Sequence, residues 1–258
     1  MIATIAMLAA AMRIISLSPA TTEELFELGA DRQVVAIDAF SERPARITRF
    51  PRLGGIFDAN AELVLAAKPS LVLYQAEEFD TLAMAALRRT HLNVVGLPGA
   101  RLEDDWRGIE RVGELTGRER QANALVARLQ AHIAQRARSV ANKRRLRVLV
   151  VSWDQPIASV AHGSFVDDLL DRANLENVAK DAGTPWPTLS PEYVTQTNPD
   201  VVIVNTTEGF SLDRQRLPWN LLDAAKNRKI ALVAPRFECG PYIDELFDAI
   251  VRSVAPFR

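Results

Sequence analysis

Two glutamates stand out because their surroundings match. Residues 60–74, which contain Glu62, align without a gap on residues 190–204, which contain Glu192, about 130 positions further on. Each copy reads as a capping residue (Asn60, Ser190), a carboxylate two positions later in the first helical turn, a short helix stopped by a proline (Pro69, Pro199), and an apolar strand. One such carboxylate would favour its helix dipole by on the order of a few tenths of a kcal/mol. As a pair at equivalent places on two similar lobes, they suit a two-point contact with a pseudo-symmetric or dimeric partner carrying basic residues.

The remaining chemistry-bearing residues do not assemble into a catalytic pattern. His91, His132 and His162 have no HExxH or His-x-His spacing, and the lone Cys239 is too few for a thiolate cluster, so no metal site made by the protein alone is expected. Glycine-rich dinucleotide and phosphate loops and the nucleophile elbow are absent. Asp38, Asp58, Glu238 and His162 could act as acids or bases but show no paired arrangement, so no catalytic residue and no catalytic cofactor are assigned. A two-lobed α/β enzyme is the rival reading of another class. Trp153 falls just past a strand, where open α/β sheets place ligands.

The elements that must position these residues alternate. Strand-like runs at Ile14–Leu17, Val34–Ile37, Leu71–Leu73 and Val94–Leu97 interleave with helical patterns at Thr21–Leu28, Ala61–Ala67 and Leu82–Arg89. A second series has strands at Leu146–Val151, Val201–Asn205 and Ile230–Val233, with helices at Phe165–Arg172, Leu221–Ala225 and Ile243–Val254. Such alternation predicts α/β units around parallel sheets. Between the series, Arg118–Arg145 contains neither Gly nor Pro and carries apolar residues at helical spacing. It predicts one amphipathic helix of about 24 residues, about 36 Å long at the usual rise. The expected fold is therefore α/β, with two Rossmann-like lobes joined by a single long helix and a ligand cleft between them; a crossover helix within one larger sheet is the alternative. The expected organisation is 1–11 signal segment, 12–117 first lobe, 118–145 linking helix and 146–258 second lobe.

Composition fits a globular chain of this kind. The 258 residues are 48% hydrophobic, and 31 basic against 32 acidic side chains give a net charge of −1, which offers no basic footprint for nucleic acid. The apolar run Ile2–Ala11 is far short of the roughly 20 residues a membrane-spanning helix needs. It reads as the apolar and cleavage regions of an export signal without a basic leader, cleaved after Ala11; a short apolar tail on a cytoplasmic protein is the other reading.

Several stretches then resemble the periplasmic substrate-binding proteins of ABC importers for cobalamin and iron chelates. They are residues 14–29 with Ser18-Pro19 and Glu23, Leu53–Ile56 followed by Glu62, Ala67–Leu73, Gly163–Leu170, Glu176–Val178, and above all Pro185-Trp186-Pro187 followed by Ser190 and Glu192. The resemblance runs from about Arg13 to the C-terminus and is greatest to the cobalamin-binding members. It implies a periplasmic, monomeric, non-catalytic protein that captures cobalamin or a related corrinoid and delivers it to an ABC importer. Glu62 and Glu192 would dock into arginine pockets on the permease dimer. Trp186 would line the ligand cleft, Phe40 would make an aromatic ligand contact, and the loop Pro235–Pro241, with Arg236 and Phe237, would form another wall. Tryptophans that the resemblance anticipates near Ile56 and Gln75 are missing, which keeps a ferric siderophore or haem open as the ligand. Arg43 and Arg236 would then face anionic oxygens. Tyr74 could supply a phenolate to iron, or pack with its hydroxyl satisfied by a neighbour.

Overall fold

The computed structural model describes residues 12–76 and 81–258, so the run read as an export signal lies outside the described residues. The described residues form two compact units, one reaching to Arg128 and including Cys239–Pro241, the other formed by Leu129–Glu238 with Tyr242–Arg258.

In the first unit, β1 (Ile14–Ser16), α1 (Pro19–Glu27), β2 (Val34–Ala36), α2 (Ala61–Ala66), β3 (Leu71–Ala76), α3 (Leu82–Arg88), β4 (Val94–Pro98) and α4 (Leu102–Thr116) follow one another. The strands form a parallel sheet in the order β2-β1-β3-β4. Ile14, Ile15, Val72 and Leu73 are fully buried, as expected of parallel strands covered on both faces. Pro19 opens α1, where its missing N–H costs nothing, and Gly117 closes α4 in the left-handed conformation at φ 68°. Helix α5 (Glu119–Val140, 22 residues) follows, and the division between the units falls inside it.

In the second unit, β5 (Leu146–Val151), β6 (Trp153–Asp154), β7 (Ile157–Ala158), α6 (Phe165–Arg172), β8 (Leu175–Asn177), β9 (Thr188–Leu189), α7 (Pro191–Thr197), β10 (Val201–Asn205), α8 (Asp223–Lys226), β11 (Ile230–Val233) and α9 (Ile243–Val254) build a second parallel sheet, β11-β10-β5-β8. Helix α9 packs on β10 and β11 through Leu246, Phe247, Ile250 and Val254, an apolar stripe at helical spacing. A small antiparallel sheet, β6-β7-β9, which the sequence does not announce, lies beyond the end of β5.

The repeated pattern persists at the level of single hydrogen bonds. Asn60 Oδ1 accepts from the Leu63 N–H at 3.1 Å, and Ser190 Oγ accepts from the Tyr193 N–H at 3.1 Å. Lys68 (φ 48°) and Asn198 (φ 35°), each directly before the stopping proline, both take the left-handed conformation. Arg13 donates to the Ala67 and Lys68 carbonyls that end α2, at 2.7 and 3.1 Å, and Arg147 donates to the Thr197 and Asn198 carbonyls that end α7, at 2.8 and 3.2 Å. The Arg13 carbonyl accepts from the Ser70 N–H at 2.9 Å and the Arg147 carbonyl from the Asp200 N–H at 2.8 Å. A guanidinium on exposed C-terminal carbonyls is the favourable partner for that end of a helix dipole.

Candidate ligand-binding and docking residues

At the C-terminal end of β2, a buried carboxylate organises the loop that carries Phe40. Asp38 is fully buried. Its Oδ1 accepts from the Phe40 and Ser41 N–H groups, both at 2.7 Å; its Oδ2 accepts from Thr22 Oγ1 at 3.0 Å and from the Ser41 hydroxyl. Arg52 closes the loop from outside by donating to the Asp38, Ala39 and Ser41 carbonyls at 3.2, 2.9 and 2.9 Å. Phe40 is thus held by its backbone while its ring stays 51% exposed. The ring edge lies 2.8 Å from where a Cβ on Gly55 would stand, so only glycine there lets the ring rest on the neighbouring backbone.

Tyr74 corrects an expectation. It is 4% exposed, belongs to the first-unit core with Leu53, Val64 and Met84, and its hydroxyl accepts from Arg88, whose guanidinium carbon sits 5.5 Å from the ring centroid. Side chains alternate across a strand, but Leu73 on the opposite face is equally buried, so both faces of β3 here are core and the phenol is taken up by packing and by Arg88. The packed alternative therefore holds, and Tyr74 leaves the ligand-facing set. Gln75 takes the end of β3: its N–H donates to Ser18 Oγ at 2.9 Å.

In the second unit, the same period-2 alternation sorts the antiparallel sheet. Ile157 and Leu189 are direct partners and turn inward to the core around Trp219, whereas Trp153, Ala158 and Thr188 form the row on the other face. Trp153 is 49% exposed and stacks on Phe210, with centroids 5.8 Å apart and planes at 29°. Trp186, two residues before Thr188, is 41% exposed and leans on Phe165 at 5.7 Å. Nothing in the sequence marks Phe210, which lies in the loop after β10 and belongs to no motif. Inward, Asp154 accepts from the Trp219 indole N–H at 2.8 Å and from Arg216.

The loop around Arg236 and Phe237 divides. Arg236 and Phe237 are part-buried and group with the second unit, where Asn205 Nδ2 donates to the Pro235 carbonyl at 2.9 Å, whereas Cys239–Pro241 group with the first. Arg43 pairs with the buried Glu23 at 3.3 Å.

Of the acid–base candidates, Asp38 is committed to its loop, and Asp58 accepts from the Gly55 N–H at 2.7 Å. His162 does have a carboxylate partner that the sequence did not reveal: its Nδ1 lies 3.5 Å from Oδ2 of Asp167, whose Oδ1 accepts from Asn177. Among the described residues no three His, Cys, Asp or Glu side chains gather to hold a metal ion, and no helix is long and apolar enough to cross a membrane.

Glu62 and Glu192 are both exposed in the first turns of α2 and α7. A groove of about 400 Å³ beside Glu192 is lined by Pro191, Thr195, Gln196, Leu217, Pro218 and Leu221. Next to Glu62, Leu63 and Leu65 are 49% and 45% exposed. Each carboxylate is therefore flanked by apolar surface.

Comparison with known proteins gives these features a context. An uncharacterized ABC transporter substrate-binding lipoprotein of Bacillus subtilis is 26% identical over 255 residues, spanning 95% of this chain and 80% of its own. A vitamin B12-binding protein of Pectobacterium atrosepticum is 25% identical over 197 residues, 74% of this chain and 71% of its own. The crystal structure of a periplasmic haem-binding protein of Vibrio cholerae superposes with a TM-score of 0.79 at 22% identity, covering 95% of this chain and 99% of that one. The family profile described as Periplasmic binding protein matches residues 14–236, and the chain belongs to that family.

Proposed function

We propose that this protein captures a metal-bearing macrocycle, cobalamin or a related corrinoid, outside the cytoplasm and delivers it to an ABC importer. The observation that carries this reading is the set of exposed aromatic rings the two units present: Phe40 just past β2 in the first unit, and in the second Trp153 beyond the end of β5, backed by the part-buried Phe210, with Trp186 in the loop before β9. Large flat ligands are held by aromatic faces with few polar groups, and open α/β sheets bind beyond the C-terminal ends of their strands. The vitamin B12-binding relative supports the corrinoid. Haem or a ferric siderophore is the second reading, supported by the haem-binding structural neighbour and by Arg236 next to Phe237.

Glu62 and Glu192 are the docking residues in this reading, one for each half of a permease dimer. Their equivalent side-chain caps and equivalent arginine braces support it, because a two-fold partner requires two like surfaces. The deciding experiment is a titration of the protein from Met12 with cyanocobalamin, haemin and a ferric hydroxamate, followed by tryptophan quenching and calorimetry. One-to-one submicromolar cobalamin binding that Trp186→Ala weakens at least tenfold is expected. Binding of haemin or the hydroxamate alone moves the ligand to that class, and binding of none overturns the proposal.

A further inference from the structure

Helix α4 buries an apolar stripe through Leu102, Trp106, Ile109 and Val112, and in the middle of it sits a carboxylate, Asp105, with no exposure at all. Burial pushes its pKa well above the ordinary 3.8, only partly offset by the hydrogen bond it accepts. That bond comes from the Gly240 N–H, 135 residues away, at 2.8 Å to Oδ1; Oδ2 has no hydrogen-bond partner. A buried carboxyl with half its capacity unused is costly where leucine would fit the stripe. What it accomplishes is the fixing of one backbone amide.

That amide belongs to a three-residue strap. Cys239–Pro241 group with the first unit while Glu238 and Tyr242 on either side group with the second. Gly240 has φ +111°, and a Cβ there would stand 3.3 Å from the Cβ of Ala20 in the first turn of α1. Cys239 Sγ and Gln75 Nε2 converge over Gly99, 3.1 and 1.4 Å from the position its Cβ would take. The strap therefore lies on the ends of β3 and β4 and the start of α1, at the edge of the sheet where an open α/β fold binds its ligand.

We propose that Asp105 is a positioning residue: through Gly240 it holds the Cys239–Pro241 strap against Gln75 and Gly99, and the strap so held completes the ligand-facing edge of the first unit. The ligand half of this inference rests on the function proposed above. Asn at 105 retains an oxygen that accepts the same bond, whereas Ala does not.

Cys239, the chain's single cysteine and buried, reports on the strap directly. Its labelling by a maleimide is followed in the intact protein, in Asp105→Ala and in Asp105→Asn, alongside titration with cyanocobalamin and haemin. Loss of one hydrogen bond predicts labelling and probe dissociation constant each raised about tenfold in Asp105→Ala, with Asp105→Asn within about threefold of the intact protein. Unchanged labelling in a folded Asp105→Ala overturns the positioning role, and faster labelling with unchanged probe affinity overturns the ligand role. Should Asp105→Ala fail to fold, hydrogen exchange of the Gly240 amide in the intact protein decides: core-like protection supports the bond, and loop-like exchange overturns it. An intact protein that binds neither probe removes the proposed function, while the labelling rates still judge the strap.

Discussion

Removing the carboxylate of Asp38 should unmake the Phe40 loop and much of the first unit's stability with it. Asp38 accepts four hydrogen bonds while fully buried. In Asp38→Ala the Ser41 N–H, itself buried, is left without a partner, and that orphan alone costs about 1–3 kcal/mol. The Phe40 N–H is part-buried and recovers some solvation, and Thr22 Oγ1 retains its bond to Ser16 Oγ at 2.8 Å. The hydroxyl of Ser41 loses its acceptor. Together these give a loss of about 3–5 kcal/mol, a large fraction of the 5–15 kcal/mol typical of a domain. Asp38→Asn behaves differently. Its Oδ1 still accepts from both backbone N–H groups, and its Nδ2 can donate to the two hydroxyls once they rotate, so about 1 kcal/mol is lost. Urea unfolding monitored by circular dichroism, extrapolated linearly to water, measures both. An Asp38→Ala protein within 1 kcal/mol of the parent, or an Asn variant as damaged as the Ala one, would refute this account of the loop.

Three further outcomes are expected. Glu62→Arg combined with Glu192→Arg should abolish importer-dependent uptake and leave ligand affinity within about twofold, since both side chains are exposed and reversal of a docking charge acts on the partner alone; sustained uptake in whole cells would exclude the docking role. For Asp105, whose folded-state pKa is raised by burial, the stabilising contribution is fully present below the unfolded value near 3.8 and is lost as pH rises through the folded value. Urea midpoints of the parent should accordingly fall relative to Asp105→Asn across that window and run parallel above it; curves parallel throughout from pH 3 upward contradict the shift. Trp219→Phe keeps most of a fully buried ring but deletes the indole N–H that donates to Asp154, and should cost about 1–2 kcal/mol by the same unfolding assay.

How far the fold was legible depended on whether its signals were local. Residues 60–74 and 190–204 announced themselves because caps, first-turn carboxylates and stopping prolines act within a few residues, and the two helices form with matching caps and matching left-handed ends. The alternation of strand and helix likewise points to both parallel sheets, whose Val and Ile runs are buried on both faces. The arginine braces were invisible, because Arg13 precedes its strand and Arg147 lies within one, so no fixed spacing links them. The small antiparallel sheet was missed for the opposite reason: its strands are two residues long, too short to show a period.

The candidate site was less legible than the fold, and Tyr74 shows why. Both faces of a parallel sheet are covered, so residue type alone does not say whether a tyrosine near a strand end packs or reaches beyond it; Tyr74 packs beside Arg88, and the Gln75 N–H meets Ser18. Phe40 and Trp186 came from resemblance, and the geometry adds what resemblance cannot: Asp38 and Arg52 fix the backbone under Phe40, and Gly55 makes room for its ring. Asp105 lay wholly out of reach. Its partner is 135 residues away, and within α4 it reads as one more polar residue in an acidic first turn formed with Glu103 and Asp104. Only burial separates it from those neighbours, and burial is a property of the fold. The residues that recognise a ligand can be guessed from their type; those that hold them in place are chosen by the path of the chain.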